Sequence, residues 1–450
     1  MKLNKNLKKM AAPVLGMSLL FPTMTSAATA PPTVNTPAVD LRASLDQLLS
    51  EHFALAFAAM TSAYDGAPNA EEAMKALDQN ALDMQPAIAS LYGEKGAAEF
   101  ERIFRAHNNA TDDYAMAVKS DDQNAEDQAK MGVDKFVKDF SAFLAAATGG
   151  KLPQQGAMQA LRTHENLVQK AFDDYVAGDY KGTYQTYREG FKQMFDVSKA
   201  LSSAITAQMP DKFKGSKPDT AAGDLRSALN RLAAEHFALA TMEMQKEYAG
   251  SKDFDFVNWA QDANTADFKA AISSIYGAEA GNQFVNVWQP NHIDAQSDLV
   301  QAVKKKDDNM RKDVENRIDT FANDFGAFLG TATEEKLPTK AAKDAVMAHE
   351  QSVMKTFDNA VAGDYAATYQ SWREGYKIMF GVGQALGNGI VTQMPGKFET
   401  VTMPGQMPHT GMGGASETTD SQAPWLEASL TAMLLLGSAV VIRKKMVKQQ

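Results

Sequence analysis

Apolar positions recur at three- and four-residue intervals along most of the chain. Leu45, Leu48, Leu49 and Phe53 share one helical stripe, as do Phe100, Ile103 and Phe104, and Phe136, Phe140 and Phe143. No stretch alternates cleanly enough to predict a strand. Turn signals interrupt the pattern at Asp65-Gly66-Ala67-Pro68, Gly93, Asp121-Asp122, Gly149-Gly150 with Pro153, and Gly178-Asp179. These five breaks predict six helices, paired as three hairpins.

The pattern then starts again. Asp40-Leu-Arg-Ala-Ser-Leu45 returns as Asp224-Leu-Arg-Ser-Ala-Leu229, and Glu51-His-Phe-Ala-Leu-Ala56 as Glu235-His-Phe-Ala-Leu-Ala240. Lys151-Leu-Pro153 returns at 336–338, Ala177-Gly-Asp-Tyr180 at 362–365, and Arg188-Glu-Gly190 with Met194-Phe195 at 373–375 and 379–380. The offset is 184 residues early and 185 later, so one residue has been inserted between. The expected fold is all-α, with two tandem repeats, each a six-helix bundle made of three helical hairpins, at 38–208 and 222–393. A pair of long four-helix bundles with some helices merged is the competing arrangement. Residues 209–223, with Pro210, Gly215, Pro218 and Gly223, read as an exposed linker.

Histidines mark a finer repeat. His52, His107 and His164 are spaced by 55 and 57 residues, and His236, His292 and His349 by 56 and 57. Fourteen residues beyond each stands a helix-ending position: Gly66, Asp121, Gly178, Gly250, Lys306 or Gly363. Each histidine therefore lies four turns, roughly 21 Å, before the end of its helix. Packed side by side, the three helices of a repeat would bring their imidazoles into one layer, an arrangement that suits a divalent transition metal. Neighbouring carboxylates at Glu51, Glu235, Glu165, Glu350, Asp113 and Asp298 are candidates to support such ligands. Met60, Met244, Met194 and Met379 are candidate thioether ligands, which favours copper over zinc, with haem behind a bare ion. Ordinary imidazole titration would weaken binding as pH falls through about 6 to 6.5. The alternative use of six copied histidines is structural: a buried imidazole that needs one hydrogen-bond partner.

The 450-residue length allows roughly two to three domains. With no cysteine, the chain has no disulfide, thiolate–metal or thiol chemistry. There is no G-x-S-x-G elbow, phosphate loop or dinucleotide fingerprint, so no catalytic motif points to an enzyme. A net charge of −10 without a basic stripe argues against nucleic acid as a partner.

The ends differ from the middle. Met1–Met10 is basic, Ala11–Phe21 is apolar, and small residues follow at Ser26-Ala27-Ala28 and Ala28-Thr29-Ala30, so residues 1–30 read as a cleavable export signal. At the other end comes Met407-Pro408-His409-Thr410-Gly411. After it stand a polar spacer to Pro424, an apolar run Leu430–Ile442 and a basic end from Arg443. In this order the elements resemble the Leu-Pro-x-Thr-Gly cell-wall sorting signal of Gram-positive surface proteins. That resemblance implies a sortase cut between Thr410 and Gly411, covalent attachment to peptidoglycan and transient membrane insertion of 425–450. Met407 stands where the family has leucine. Residues 394–424 would be the wall-spanning linker. Without the 30-residue signal and everything beyond Gly411, the charge becomes −15, which would attract cations. The repeated unit also resembles helical segments of secreted Gram-positive proteins labelled copper amine oxidase. The Asn-Tyr-Asp/Glu motif of true copper amine oxidases is missing, so this resemblance implies metal affinity rather than oxidase activity. Two functions are expected: a wall-anchored metal-binding protein, or a non-enzymatic adhesion or spacer module with structural histidines.

Overall fold

A computed structural model describes residues 31–399. The export signal, the sorting motif Met407, Pro408, His409, Thr410 and Gly411, most of the wall linker and the 425–450 segment lie outside these residues. Among the described residues the fold is all-α, and no helix is long and apolar enough to cross a membrane.

The first repeat comprises α1 (Pro37–Asp65), α2 (Ala70–Ser120), α3 (Gln123–Ala147), α4 (Gln154–Val176) and α5 (Tyr180–Gln208). The second comprises α6 (Ala221–Ala249), α7 (Phe254–Tyr276), α8 (Ala278–Trp288), α9 (Asp294–Lys305), α10 (Asp308–Ala332), α11 (Thr339–Ala362) and α12 (Tyr365–Gln393). Gly93, at φ 75° and ψ 173°, breaks α2 into two segments laid end to end. Gly277 makes the same break between α7 and α8. Each of these glycines divides the second element of its repeat into helical segments laid end to end.

Local chemistry explains the boundaries. Thr36 accepts a hydrogen bond from the Val39 amide at the start of α1, with Pro37 at the first helical position, and Thr220 caps α6 in the same way. Asp122, Asp179, Asp307 and Asp364 cap α3, α5, α10 and α12. All six residues fourteen positions beyond the histidines have positive φ, including Asp121 and Lys306, which lack glycine's freedom.

The inserted residue can be placed. Phe104 corresponds to Trp288 at an offset of 184, and His107 to His292 at 185, so the extra residue falls between Trp288 and His292. There α8 passes into α9 through a single π-helical turn, Gln289–Ile293. A one-residue insertion becomes one wide turn, and Pro290 within it has no N–H to satisfy.

The repeats share one core within a compact unit and do not stand apart as separate bodies. Their cross-contacts are reciprocal. Arg42 pairs with Asp224 at 2.5 Å and Arg226 with Asp40 at 2.6 Å, while the rings of Phe191 and Tyr376 meet across the junction. Such exchange of equivalent partners is what an approximate two-fold relation produces. The connection at 209–223 is built into this junction. Phe213 is buried, the Pro218 carbonyl accepts from Arg42, and Ser216 Oγ accepts from the Ala38 amide.

Candidate metal centres

The histidines converge. His52, His107 and His164 each present a ring nitrogen within 4.8 Å of the others, and His236, His292 and His349 do the same. All six are buried, between 1% and 6% exposed. In each repeat the imidazoles come from the first helix, the distal part of the kinked second element and the helix that follows the Leu-Pro turn. Equal setback from the helix ends places them in one layer.

Aromatic rings wall off the layer. Phe136 stacks on His107 with centroids 4.1 Å apart, and Phe321 stacks on His292 at 4.5 Å. Phe104 and Trp288 each lie 4.8 Å from His52 and His236. Phe53 and Phe237 pack beside His164 and His349, and each occupies space left by a glycine. A Cβ on Gly190 would meet the Phe53 ring at 2.3 Å, and one on Gly375 the Phe237 ring at 2.4 Å. The Arg-Glu-Gly repeat thus ends on a glycine because the aromatic next to the first histidine needs its place.

This apolar wall disfavours the charged form of five of the six imidazoles. Burial pushes His52 and His236 well below their usual value. Burial, with the neighbouring His164, takes His107 down to about 3. Burial also takes His164 and His349 down to about 4. Proton competition near pH 6, expected from free imidazole, therefore does not apply at these five positions. Neutral nitrogens with free lone pairs are what a metal requires.

The polar accounting favours a missing partner. His52 has no hydrogen-bond partner on either ring nitrogen, nor has His349, and Nδ1 of His107, His164 and His236 is also unpaired. Buried polar atoms are almost always satisfied, so six converging rings with this many orphans fit an ion at each centre. A point equidistant from three nitrogens 4.8 Å apart is about 2.8 Å from each, so shifts under about 1 Å would reach metal–nitrogen distances near 2.0–2.1 Å.

The two centres differ in detail. In the first, Glu165 Oε1 lies 3.6 Å from His107 Nδ1 and 4.0 Å from His164 Nε2, and burial pushes this carboxyl up to about 8. In the second, Glu350 Oε1 comes within 2.7 Å of His292 Nδ1, without hydrogen-bond alignment. Burial alone would raise Glu350, but the positive charge His292 carries when protonated, with a smaller contribution from His349, holds it below the ordinary carboxylate range. His292 Nε2 also lies 2.9 Å from His236 Nε2, close enough to share a proton.

Of the expected supporting residues, Glu165 and Glu350 stand at the centres. Glu51 and Glu235 do not face them; each is gripped by an arginine of the other repeat. Arg373 holds Glu51 at 2.9 Å and Asp83 at 2.7 Å, and Arg188 holds Glu235 at 2.9 Å and Asp267 at 2.7 Å. Asn80 and Asn264 complete each clamp by donating to Glu51 and Glu235. Adjacent residues on a helix splay apart, so the glutamate before each first histidine points to the junction. Asp113 is exposed and Asp298 pairs with Arg317. Met60, Met194, Met244 and Met379 are buried in the apolar core. Met60 and Met244 stand eight residues, about 12 Å along the axis, beyond the first histidines. The clamp arginines were visible in the sequence only as repeat markers. Their reciprocal crossing depends on how the repeats pack.

No family model, no curated protein and no solved structure matches this chain.

Proposed function

We propose that each histidine triad binds one divalent transition metal ion, and that the protein captures or buffers such ions without catalysing a reaction. The observation that carries this reading is the pair of buried, converging imidazole triads, in each of which several ring nitrogens lack a partner. His107, His164 and His52 would hold one ion, and His236, His292 and His349 the other, with Glu350 supplying nearby negative charge and Glu165 able to do so once a bound ion displaces its proton. Three imidazoles with a carboxylate suit copper(II), zinc, nickel or iron(II). With the thioethers in the core, copper preference rests on the general affinity order alone. No feature of the centres points to haem.

A ligand that binds only the folded state raises stability, by about 2.7 kcal/mol at a hundredfold excess over Kd. Copper or zinc added to the full chain should raise its melting temperature. His52→Leu should remove the first triad's share of that gain while raising the melting temperature of the metal-free protein, because an orphaned buried imidazole costs about 1–3 kcal/mol. A structural histidine would give the reverse: no metal response and a destabilised variant.

Display on a cell wall is part of the same reading. It is supported by the basic–apolar–small N-terminus and by Met407-Pro408-His409-Thr410-Gly411 with its apolar and basic tail. Sortase and peptidoglycan are the partners this implies. Muralytic digestion of intact cells should release the protein ending at Thr410; extraction by detergent alone, with residues 430–450 retained, would indicate a membrane anchor instead.

A further inference from the structure

Between the repeats lies a cavity of about 440 Å³, away from both triads and bordered by α1, α6, α11 and α12. Its walls are aromatic, including Phe57, Tyr187, Phe357, Tyr369 and Trp372. Repeat symmetry shows why it is open. The equivalent space on the other side of the junction is filled by Tyr175, whose hydroxyl donates to Asp65 at 2.6 Å, and by Lys246, which lies over the Tyr175 ring at 5.3 Å and pairs with Asp253. Tyr184 closes that side by donating to Asp253 at 2.6 Å. The residues corresponding to Tyr175, Lys246 and Asp253 are Ala360, Ser62 and Asn69, all of which line the cavity. A ring and a long cation have been replaced by a methyl and a hydroxyl.

The lining also selects a chemistry. Lys246 reaches the cavity already paired with Asp253, and Asp65, which accepts from the Tyr175 hydroxyl, leaves a carboxylate at the exposed rim. Trp372 Nε1 donates to Thr241, but its counterpart Tyr187 meets Phe57 where Trp372 meets Thr241. The Tyr187 hydroxyl is consequently buried without a partner. We infer that this cavity is a binding site for a small aromatic compound that carries a hydrogen-bonding group and no negative charge. Its volume lies within the range of small-molecule sites, flat rings match its walls, and Ser62 and Asn69, standing where the filled side has a lysine and an aspartate, offer uncharged polar contacts. Nothing in it depends on an ion at either triad.

Calorimetric titration of the full chain with 2-naphthol tests this. One equivalent should bind. Ala360→Tyr, which restores the ring found on the filled side, should weaken binding at least tenfold, and Ser62→Lys should do likewise from the rim. Far-UV dichroism and melting temperature establish that each variant is folded, and Ser62→Lys serves if Ala360→Tyr is not. 2-Naphthoate, of similar size but anionic, should bind at least tenfold more weakly than 2-naphthol, because Asp65 stands at the rim. Absence of naphthol binding, unchanged affinity in the folded variants, or equal affinity for the naphthoate would each overturn the assignment.

Discussion

His52 keeps neither ring nitrogen paired in a place that water does not reach, and this sets the protein's response to pH. Free imidazoles in an unfolded chain titrate near 6.5. In the fold, His164 and His349 take up protons only at about 4 and His107 at about 3, while His52 and His236 are also held down by burial. Below 6.5 the unfolded chain binds more protons, so acid favours unfolding by about 1.4 kcal/mol per pH unit for each such histidine. Asp46 and Glu243, raised by burial to about 7, and Glu165, raised to about 8, act oppositely. They keep protons in the fold that the unfolded chain has already released, so raising pH towards 7–8 destabilises. Five histidines outweigh three carboxyls below 6.5, and above it only the carboxyls act. Melting of the metal-free chain between pH 4.5 and 8.5 should show a maximum near 6.5; a monotonic profile would contradict this balance. The histidines themselves were legible in the sequence because each sits the same distance from a helix end. The depressed titration was not, since it arises from Phe104, Phe136 and their counterparts closing over the rings.

At the scale of elements, the turn signals at Gly66, Gly93, Asp121, Gly150 and Gly178 located every helical segment of the first repeat, because capping and positive φ are local properties. The change of offset from 184 to 185 announced the insertion, but only the backbone shows it absorbed as a π turn beside His292. Side-chain direction was less legible. Glu51 looks like a partner for His52 and instead reaches across to Arg373. This crossing makes a specific prediction. Arg373→Ala, a change in the second repeat, leaves Glu51 buried without its cation, which should cost about 3–5 kcal/mol. It should also weaken metal binding at the first triad, on whose helix Glu51 sits, more than at the second. Arg188→Ala should show the opposite preference. Metal titration of each variant, combined with His107→Ala or His292→Ala to isolate one triad, reads the effect; equal loss at both triads would contradict the crossed arrangement.

At the scale of the molecule, the duplication was plain in the sequence, but the way the copies join was not. Asp40, Arg42, Asp224 and Arg226 appear in the sequence as repeated surface charges and turn out to pair reciprocally across the junction. The continuous core and the structured 209–223 connection make the repeats one body carrying two centres, so the whole chain is the object to test. The central claim is that each triad holds one ion. The metal content of the purified full chain, loaded with copper or zinc and freed of excess by gel filtration, tests it most directly. The account predicts two ions per chain, one in His107→Ala, one in His292→Ala and none in the double variant. Retention of the same metal content by the double variant, or no retained metal in the parent chain, would contradict it.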